Sequence, residues 1–346
     1  MILQYLLLFI SIGLADGSAF ATPSRRPAPV FPLRLASYFP PESPARTIDV
    51  SRSPSSPPLS SFKPRISRFR TLVRLSRPSN MPPVAFLHLL ACHLSSPGSS
   101  PRSIVSYAPS SLLLLLILTI TSTSCIVNDY YDSRSTDAIN KPGDAEEFDP
   151  PFVRSALSVA YGLLLILSTL LPRVLPRLLV VGGTVVTYLY TVHLKPVLFL
   201  KNAVVASIVA ACPLASASSF GDVTGGVIGL CATLFFGTFG REVWMDVIDE
   251  DGDRRCGIRT VPVAYGKRVG AALGGFLLVL SGAIPMVSAS MGGSRRRIVA
   301  AGLGMVAMMR TAAKAGGGGD DEAVLKAVEM SKGLPMALIL TSYFLK

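Results

Sequence analysis

Two short stretches concentrate the acidic side chains of this 346-residue chain. Seven of its 21 Asp and Glu lie within residues 129–149, and six more within 242–253. The first stretch begins Asn128-Asp129-Tyr130-Tyr131-Asp132; the second reads Asp246-Val247-Ile248-Asp249-Glu250-Asp251-Gly252-Asp253-Arg254. On a helix, Asn128, Asp129 and Asp132 share one face, and so do Asp246, Asp249 and Asp253 at i, i+3 and i+7. Oxygen donors without His or Cys among them suit Mg²⁺, with Mn²⁺ as a substitute, because such ions bind through few carboxylates and shared phosphate oxygens. Two facing clusters of this kind would hold ions that bridge a diphosphate. Lys195 and Arg254 would neutralise the charge that remains. A solvated loop is the plainer reading of an acidic run. It is weakened here because Asp129 and Asp246 directly continue the apolar runs 112–127 and 234–245, where charge is costly and marks function.

The elements that must position these acids are membrane spans. Hydrophobic residues make up 50% of the chain and charged residues 16%, against about 25% charged in a soluble protein. From Met81 onward apolar runs recur at 81–98, 104–127, 152–171, 174–194, 197–216, 223–245, 269–290, 296–313 and 323–345. The sequence therefore predicts an all-α bundle of about nine transmembrane helices around a central cavity. Each acid stretch falls at the C-terminal end of an even-numbered span, so both lie on one membrane face. Basic residues at span ends are more numerous on that face, in the sense of the positive-inside rule. Trp244 is expected at the interface beside the second stretch, and Thr121 to Ser124 are expected to bond back onto their own helix. The five cysteines lack any C-x-x-C pairing, so buried thiols are the reading. His88, His93 and His193 are scattered and suggest no metal site.

The net charge of +12 is not a nucleic-acid signal once it is located. Residues 1–80 carry eleven Lys and Arg against three acids. Residues 5–15 form an apolar run of signal-peptide length, and small residues Gly17-Ser18-Ala19 follow it. Residues 20–66 are rich in Pro, Ser and Arg and have no helical period, which cannot build a core. The expected organisation is a signal peptide over 1–19, a transit-peptide-like arm over 20–66 and a membrane domain over 67–346. The junction Ser18-Ala19-Phe20-Ala21-Thr22-Pro23 resembles the cleavage context of bipartite plastid presequences in algae with secondary plastids. That resemblance implies a plastid membrane; another endomembrane is the alternative.

At the acid stretches the chain resembles the UbiA superfamily of intramembrane prenyltransferases. Asn128-Asp129-x-x-Asp132 matches the first motif of that family. Asp246-x-x-Asp249-x-x-Gly252-Asp253-Arg254, followed by Gly257-Ile258-Arg259-Thr260-x-Pro262-Val263, matches the second. Arg77-Pro78-x-Asn80 looks like the start of the family's first helix, and Tyr190-x-x-x-Leu194-Lys195 with Asn202 beyond looks like the segment after its fourth. The resemblance spans roughly residues 74–346. It implies Asp129, Asp132, Asp246, Asp249 and Asp253 as Mg²⁺ ligands. It also implies Asn128, Asp129, Asp132, Lys195, Asn202 and Arg259 as contacts of a prenyl diphosphate, and Lys195, Tyr190 and Arg254 as catalytic groups. Asp137 departs from the family's spacing by one residue, and its place among the metal ligands stays open.

The chemistry so implied is ionisation of an allylic prenyl diphosphate, followed by attack of a lipid, quinone-precursor or tetrapyrrole acceptor on the allylic cation. An apolar cavity would shield the cation from water, and Tyr188, Tyr190, Phe235, Phe236 and Phe239 are candidates to line it, although each also reads as helix-packing core. The implied partners are the donor, a hydrophobic acceptor and membrane lipid. A polytopic cation or metabolite transporter is the rival reading. It would place charge near the bilayer midplane on broken helices, whereas these acids sit at helix ends. A CDP-alcohol phosphotransferase would keep its acids in one compact segment, whereas Asp129 and Asp246 are 117 residues apart.

Overall fold

The computed structural model describes residues 65–132, 150–190, 194, 197–255, 257–290, 294–316, 320–333, 336, 339–340 and 342–343. Residues 1–64, which hold all but the last two residues of the leader and arm expected over 1–66, and the positions of Asp137 and Lys195 lie outside them. All regular elements among the described residues are helical. In chain order they are α1 (Arg65–Leu75), a 3₁₀ turn (Pro78–Asn80), α2 (Met81–Ser95), α3 (Pro101–Ser106), α4 (Ala108–Asp132), α5 (Pro150–Ser168) and α6 (Val174–Leu189). Then follow α7 (Leu200–Phe220), α8 (Gly225–Ile248), α9 (Glu250–Arg255), α10 (Val261–Tyr265), α11 (Lys267–Ser290), α12 (Arg295–Gly316) and α13 (Asp321–Lys332).

Six of these, α4, α5, α7, α8, α11 and α12, are long and apolar enough to cross a membrane. Of the nine expected spans, α2, α6 and the segment that starts with α13 occupy the first, fourth and ninth positions. Within the described residues α2 has 15 residues and α6 has 16, short of the roughly 20 that a perpendicular span needs. Large apolar side chains such as Leu115, Ile166, Leu178, Ile228 and Phe276 point outward and exposed, which is stable against hydrocarbon and costly against water. The protein is an integral membrane protein.

Helix α8 is the hub. It packs on α7, α11, α13 and α2, most extensively on α11. Glycine makes that contact close: a Cβ added at Gly240 would stand 2.7 Å from the Gly274 carbonyl oxygen on α11. Small residues that let backbones approach are the usual basis of helix association in lipid. The slot beside them holds Trp244, which is fully buried and donates its indole N–H to the Ala271 carbonyl at 2.9 Å. The tryptophan expected beside the second acid stretch is thus enclosed by helices and not open on the bundle surface. With a backbone acceptor inside the bundle, the ring has no need of headgroup water.

The hydroxyls of α4 behave as expected. Thr121, Ser122 and Thr123 donate to the carbonyls of Ile117, Leu118 and Thr119, each four residues back, at 2.8–2.9 Å. Ser124 donates to Thr121 three residues back. Of the cysteines described, Cys92 is buried, Cys125, Cys212 and Cys231 are half-buried, and all four are unbridged.

Candidate active site

A buried polar contact fixes which helix ends lie together. His88 on α2 is 3.0 Å from both the Ser110 and the Ser216 hydroxyls. The beginning of α4 and the end of α7 therefore share one side of the bundle. These two helices pack directly on each other, so they run antiparallel. At 1.5 Å per residue, Asp129 lies about 28 Å further along α4, and Lys201 about 22 Å back along α7. Both come out at the other side. Lys201 contacts Asp246 at the C-terminal end of α8. The two acid stretches thus occupy the same side of the bundle, as span parity requires.

The second stretch forms the tighter node. Asp246 is 2% exposed and accepts from Lys201 Nζ at 2.5 Å on one carboxylate oxygen and from Asn202 Nδ2 at 2.7 Å on the other. Helix α8 ends at Ile248, yet its hydrogen bonds carry across the break: Asp249 N–H donates to Met245 O (3.0 Å), and Asp253 N–H to Asp249 O (2.9 Å). The i, i+3, i+7 spacing survives, but the three acids do not share one environment. Asp246 is buried, Asp249 is exposed and Asp253 is half-buried. Burial pushes the Asp253 carboxyl up to about 6, against the pull of the Lys201 charge. The short helix α9 is closed at Gly257, whose φ of 70° lets Ile258 N–H reach back to Asp253 O at 2.9 Å. That is a Schellman closure, which needs a residue tolerant of the left-handed region.

The first stretch finishes α4. Asn128 and Asp129 are half-buried, and Asp129 Oδ1 accepts from the Arg77 guanidinium at 2.6 Å. Asp132 is the last residue of the helix; its side chain lies outside the described residues. Arg77 precedes Pro78, and Asn80 of the same segment donates to Cys125 Sγ at 3.7 Å, one turn before Asp129.

The other residues singled out in the sequence are distributed as follows. Asn202 joins the node. Tyr190, half-buried at the end of α6, lies within electrostatic reach of Lys201. Arg254 is exposed, and its guanidinium engages Glu250 on the same short helix instead of the node carboxylates. Arg259 is exposed. Phe239 lines an open apolar groove of about 500 Å³ with Phe199, Leu200, Ala203, Leu273 and Leu277, and its ring packs edge-on against Phe235. The sequence alone does not single out two of the site residues: Lys201 reads as one of the basic residues at span ends, and Arg77 as another of them and as part of a helix start. The signal that would have found Lys201 is its place directly before Asn202.

The donors present fit a hard divalent cation. Asn202 Oδ1 and Asp253 Oδ2 are buried oxygens without a hydrogen-bond partner. Among the described residues no three His, Cys, Asp or Glu converge to hold a metal unaided. Few protein ligands, with the rest left to waters and phosphate oxygens, is how Mg²⁺ is bound.

Helical spans that bring two carboxylate clusters to one side of a membrane bundle define a class of membrane enzyme, and comparison with known proteins agrees. The family model described as the UbiA prenyltransferase family matches residues 85–323. Digeranylgeranylglyceryl phosphate synthase of Pyrococcus horikoshii is 30% identical over 227 residues, covering 60% of this chain and 79% of that protein. The enzyme of the same name from Natronomonas pharaonis is 29% identical over 214 residues, covering 59% and 72%. Among solved structures, one of digeranylgeranylglyceryl phosphate synthase in membranes superposes with a TM-score of 0.65 at 18% identity, covering 80% of this chain and 97% of that one. A UbiA homologue from Archaeoglobus fulgidus bound to DMAPP and Mg²⁺ gives 0.55 at 17% identity, covering 79% and 97%. The chain belongs to the UbiA prenyltransferase family. It is a membrane prenyltransferase, and the transporter reading falls.

Proposed function

We propose that this protein is a Mg²⁺-dependent transferase that moves an isoprenoid chain from an allylic prenyl diphosphate to a hydrophobic acceptor. The observation that carries this reading is the node on α8. A buried aspartate is held by an ammonium and an amide, with that amide's oxygen and one Asp253 oxygen left unsatisfied, on the side of the bundle that also bears Asp129. Asp246, Asp249 and Asp253 would hold the cation on one side, and Asp129 and Asp132 on the other. When bound, Mg²⁺ supplies charge neutralisation for the diphosphate leaving group; Mn²⁺ would serve in its place. Lys201 and Arg77, together with the Lys195, Asn128 and Arg259 inferred from sequence, would orient the phosphate oxygens through charge-assisted hydrogen bonds. Asn202 keeps Asp246 in place. Phe239 and its neighbours offer an apolar wall for the isoprenoid tail, and Tyr190 an aromatic face near the leaving group. Asp137 stands as a further candidate ligand, and Arg254 as a positive group at the rim.

For the acceptor, the names of the two relatives favour a lipid over a quinone precursor or a tetrapyrrole. For location, the plastid-like leader of residues 1–66 supports a plastid membrane of an alga with a secondary plastid. Purified enzyme incubated with a panel of prenyl diphosphates and acceptors, with products identified by mass, tests the reading. A prenylated lipid formed only with divalent cation present is the expected result, and no prenylated product with any acceptor overturns it.

A further inference from the structure

Both oxygens of Asp246 are engaged, one by the Lys201 ammonium at 2.5 Å and one by the Asn202 amide at 2.7 Å. The carboxylate side chain is 3% exposed and the lysine side chain 15% exposed, so water screens the pair weakly. A divalent cation on the same oxygen would stand beside the ammonium, and like charges this close disfavour each other. A diphosphate offers the ammonium equivalent oxygens nearby. Asn202 is 2% exposed and its Oδ1 has no partner, as is also true of Asp253 Oδ2. The node therefore keeps acceptor capacity that Lys201 and Asn202 do not use.

The backbone supports the same conclusion. Among the described residues, two non-glycine residues have positive φ: Arg77 at 48° and Phe199 at 63°. That conformation is unfavourable for residues with a side chain and persists where the surroundings enforce it, often at functional sites. Phe199 opens the segment that delivers Lys201 to Asp246, and Arg77 itself reaches Asp129. Each acid stretch thus has its leading aspartate held by a base delivered through a strained turn.

We propose that Lys201 is a handover cation: it holds Asp246 until a diphosphate arrives, then moves to the phosphate oxygens and frees the carboxylate for a divalent ion. This rests on reading the node as a metal–diphosphate site. Its consequence is that metal and donor bind the second acid stretch as a coupled pair. Lysine suits the task, because its ammonium is a point charge on a flexible stem without the fixed fork of arginine.

The test is a Mn²⁺ titration of the full-length protein in lipid nanodiscs, read from the free-ion signal by electron paramagnetic resonance. It is run with and without geranyl thiolodiphosphate, an analogue whose carbon–sulfur bond does not ionise readily, and a protein-free titration corrects for the analogue's own affinity for Mn²⁺. Wild-type protein should bind Mn²⁺ roughly 10- to 100-fold more tightly with the analogue present, the usual span of a coupling between two ligands. Lys201→Gln should bind Mn²⁺ more tightly than wild type when the analogue is absent, and its coupling should shrink. Equal wild-type affinity with and without a bound analogue overturns the handover, as does a folded Lys201→Gln protein with unchanged affinity for Mn²⁺ alone. If Lys201→Gln does not fold, Lys201→Met, which keeps the apolar stem and removes the charge, is read by the same two criteria. If wild type binds neither Mn²⁺ nor the analogue, the proposed function fails and takes the handover with it.

Discussion

Replacing Gly274 by alanine probes the link between packing and site most sharply. A Cβ at Gly274 would lie 2.6 Å from Trp244 Nε1 and 2.8 Å from the Gly240 carbonyl oxygen. Neither neighbour can swing away: one is a buried ring and the other is backbone. Helices α8 and α11 must therefore separate or shift. Overpacking of this kind costs about 1–3 kcal/mol. The indole N–H also loses the Ala271 carbonyl, and an unsatisfied buried donor costs about 1–3 kcal/mol more. Together these predict a loss of about 2–6 kcal/mol, enough to lower the apparent Tm by several degrees. Asp246 is two residues beyond Trp244 on the same helix, so a displacement of about 1 Å carries into the node, where misplacement on that scale costs up to about 10²-fold in rate. The chain has one tryptophan, so its emission reports on this contact alone. Thermal unfolding in detergent followed by that emission, beside prenyl-transfer turnover, is the assay. Gly182→Ala serves as control, since a Cβ there meets nothing within 4 Å and Ala is favoured over Gly in a helix by about 1 kcal/mol. A Gly274→Ala protein with the wild-type Tm, emission and turnover would refute the claim that close α8–α11 contact positions Asp246.

Asp129→Asn and Asp249→Asn should each lower turnover by roughly 10²–10³-fold, the range for loss of one group that stabilises developing charge, while circular dichroism shows the fold retained; near-normal turnover in either removes that residue from the site. Asp137→Asn should raise the KM for donor modestly, whereas Asp132→Asn should lower kcat at any donor concentration. Equal losses of kcat in steady-state kinetics would make Asp137 a full ligand. A protein starting near Arg68 should insert and turn over, since residues 1–66 carry no motif of the site; an inserted but inactive truncation would show that the arm takes part in catalysis.

What the sequence disclosed was whatever depends on near neighbours along the chain. Apolar run length located the spans, and helical periodicity grouped Asn128 with Asp129 and Asp246 with its successors. The back-bonding of Thr121 to Ser124 is equally local. What it concealed depends on distant partners. Arg77 and Asp129 are 52 residues apart, and Lys201 and Asp246 are 45 apart; each base looked like an ordinary charge at a span end. The two strained turns could not be read either, since Arg77 and Phe199 are not residue types that announce a left-handed backbone. Since its partner Ala271 is 27 residues away, the enclosure of Trp244 between helices was equally hidden. Gly240 and Gly274, which let the helices close around it, are separated by a loop and two short helices. The break at Asp249 also divided an apparently uniform acidic face into a buried, an exposed and a half-buried carboxylate.

In the proposed mechanism, oxygen donors on two helix ends act through a divalent cation on an allylic diphosphate. This mechanism is tested most directly by single-turnover transfer from a radiolabelled allylic prenyl diphosphate, before and after exhaustive chelation and after Mg²⁺ is restored. Labelled, prenylated acceptor should form only when Mg²⁺ or Mn²⁺ is present, with full recovery on adding the ion back. Undiminished transfer by the chelated enzyme would contradict it.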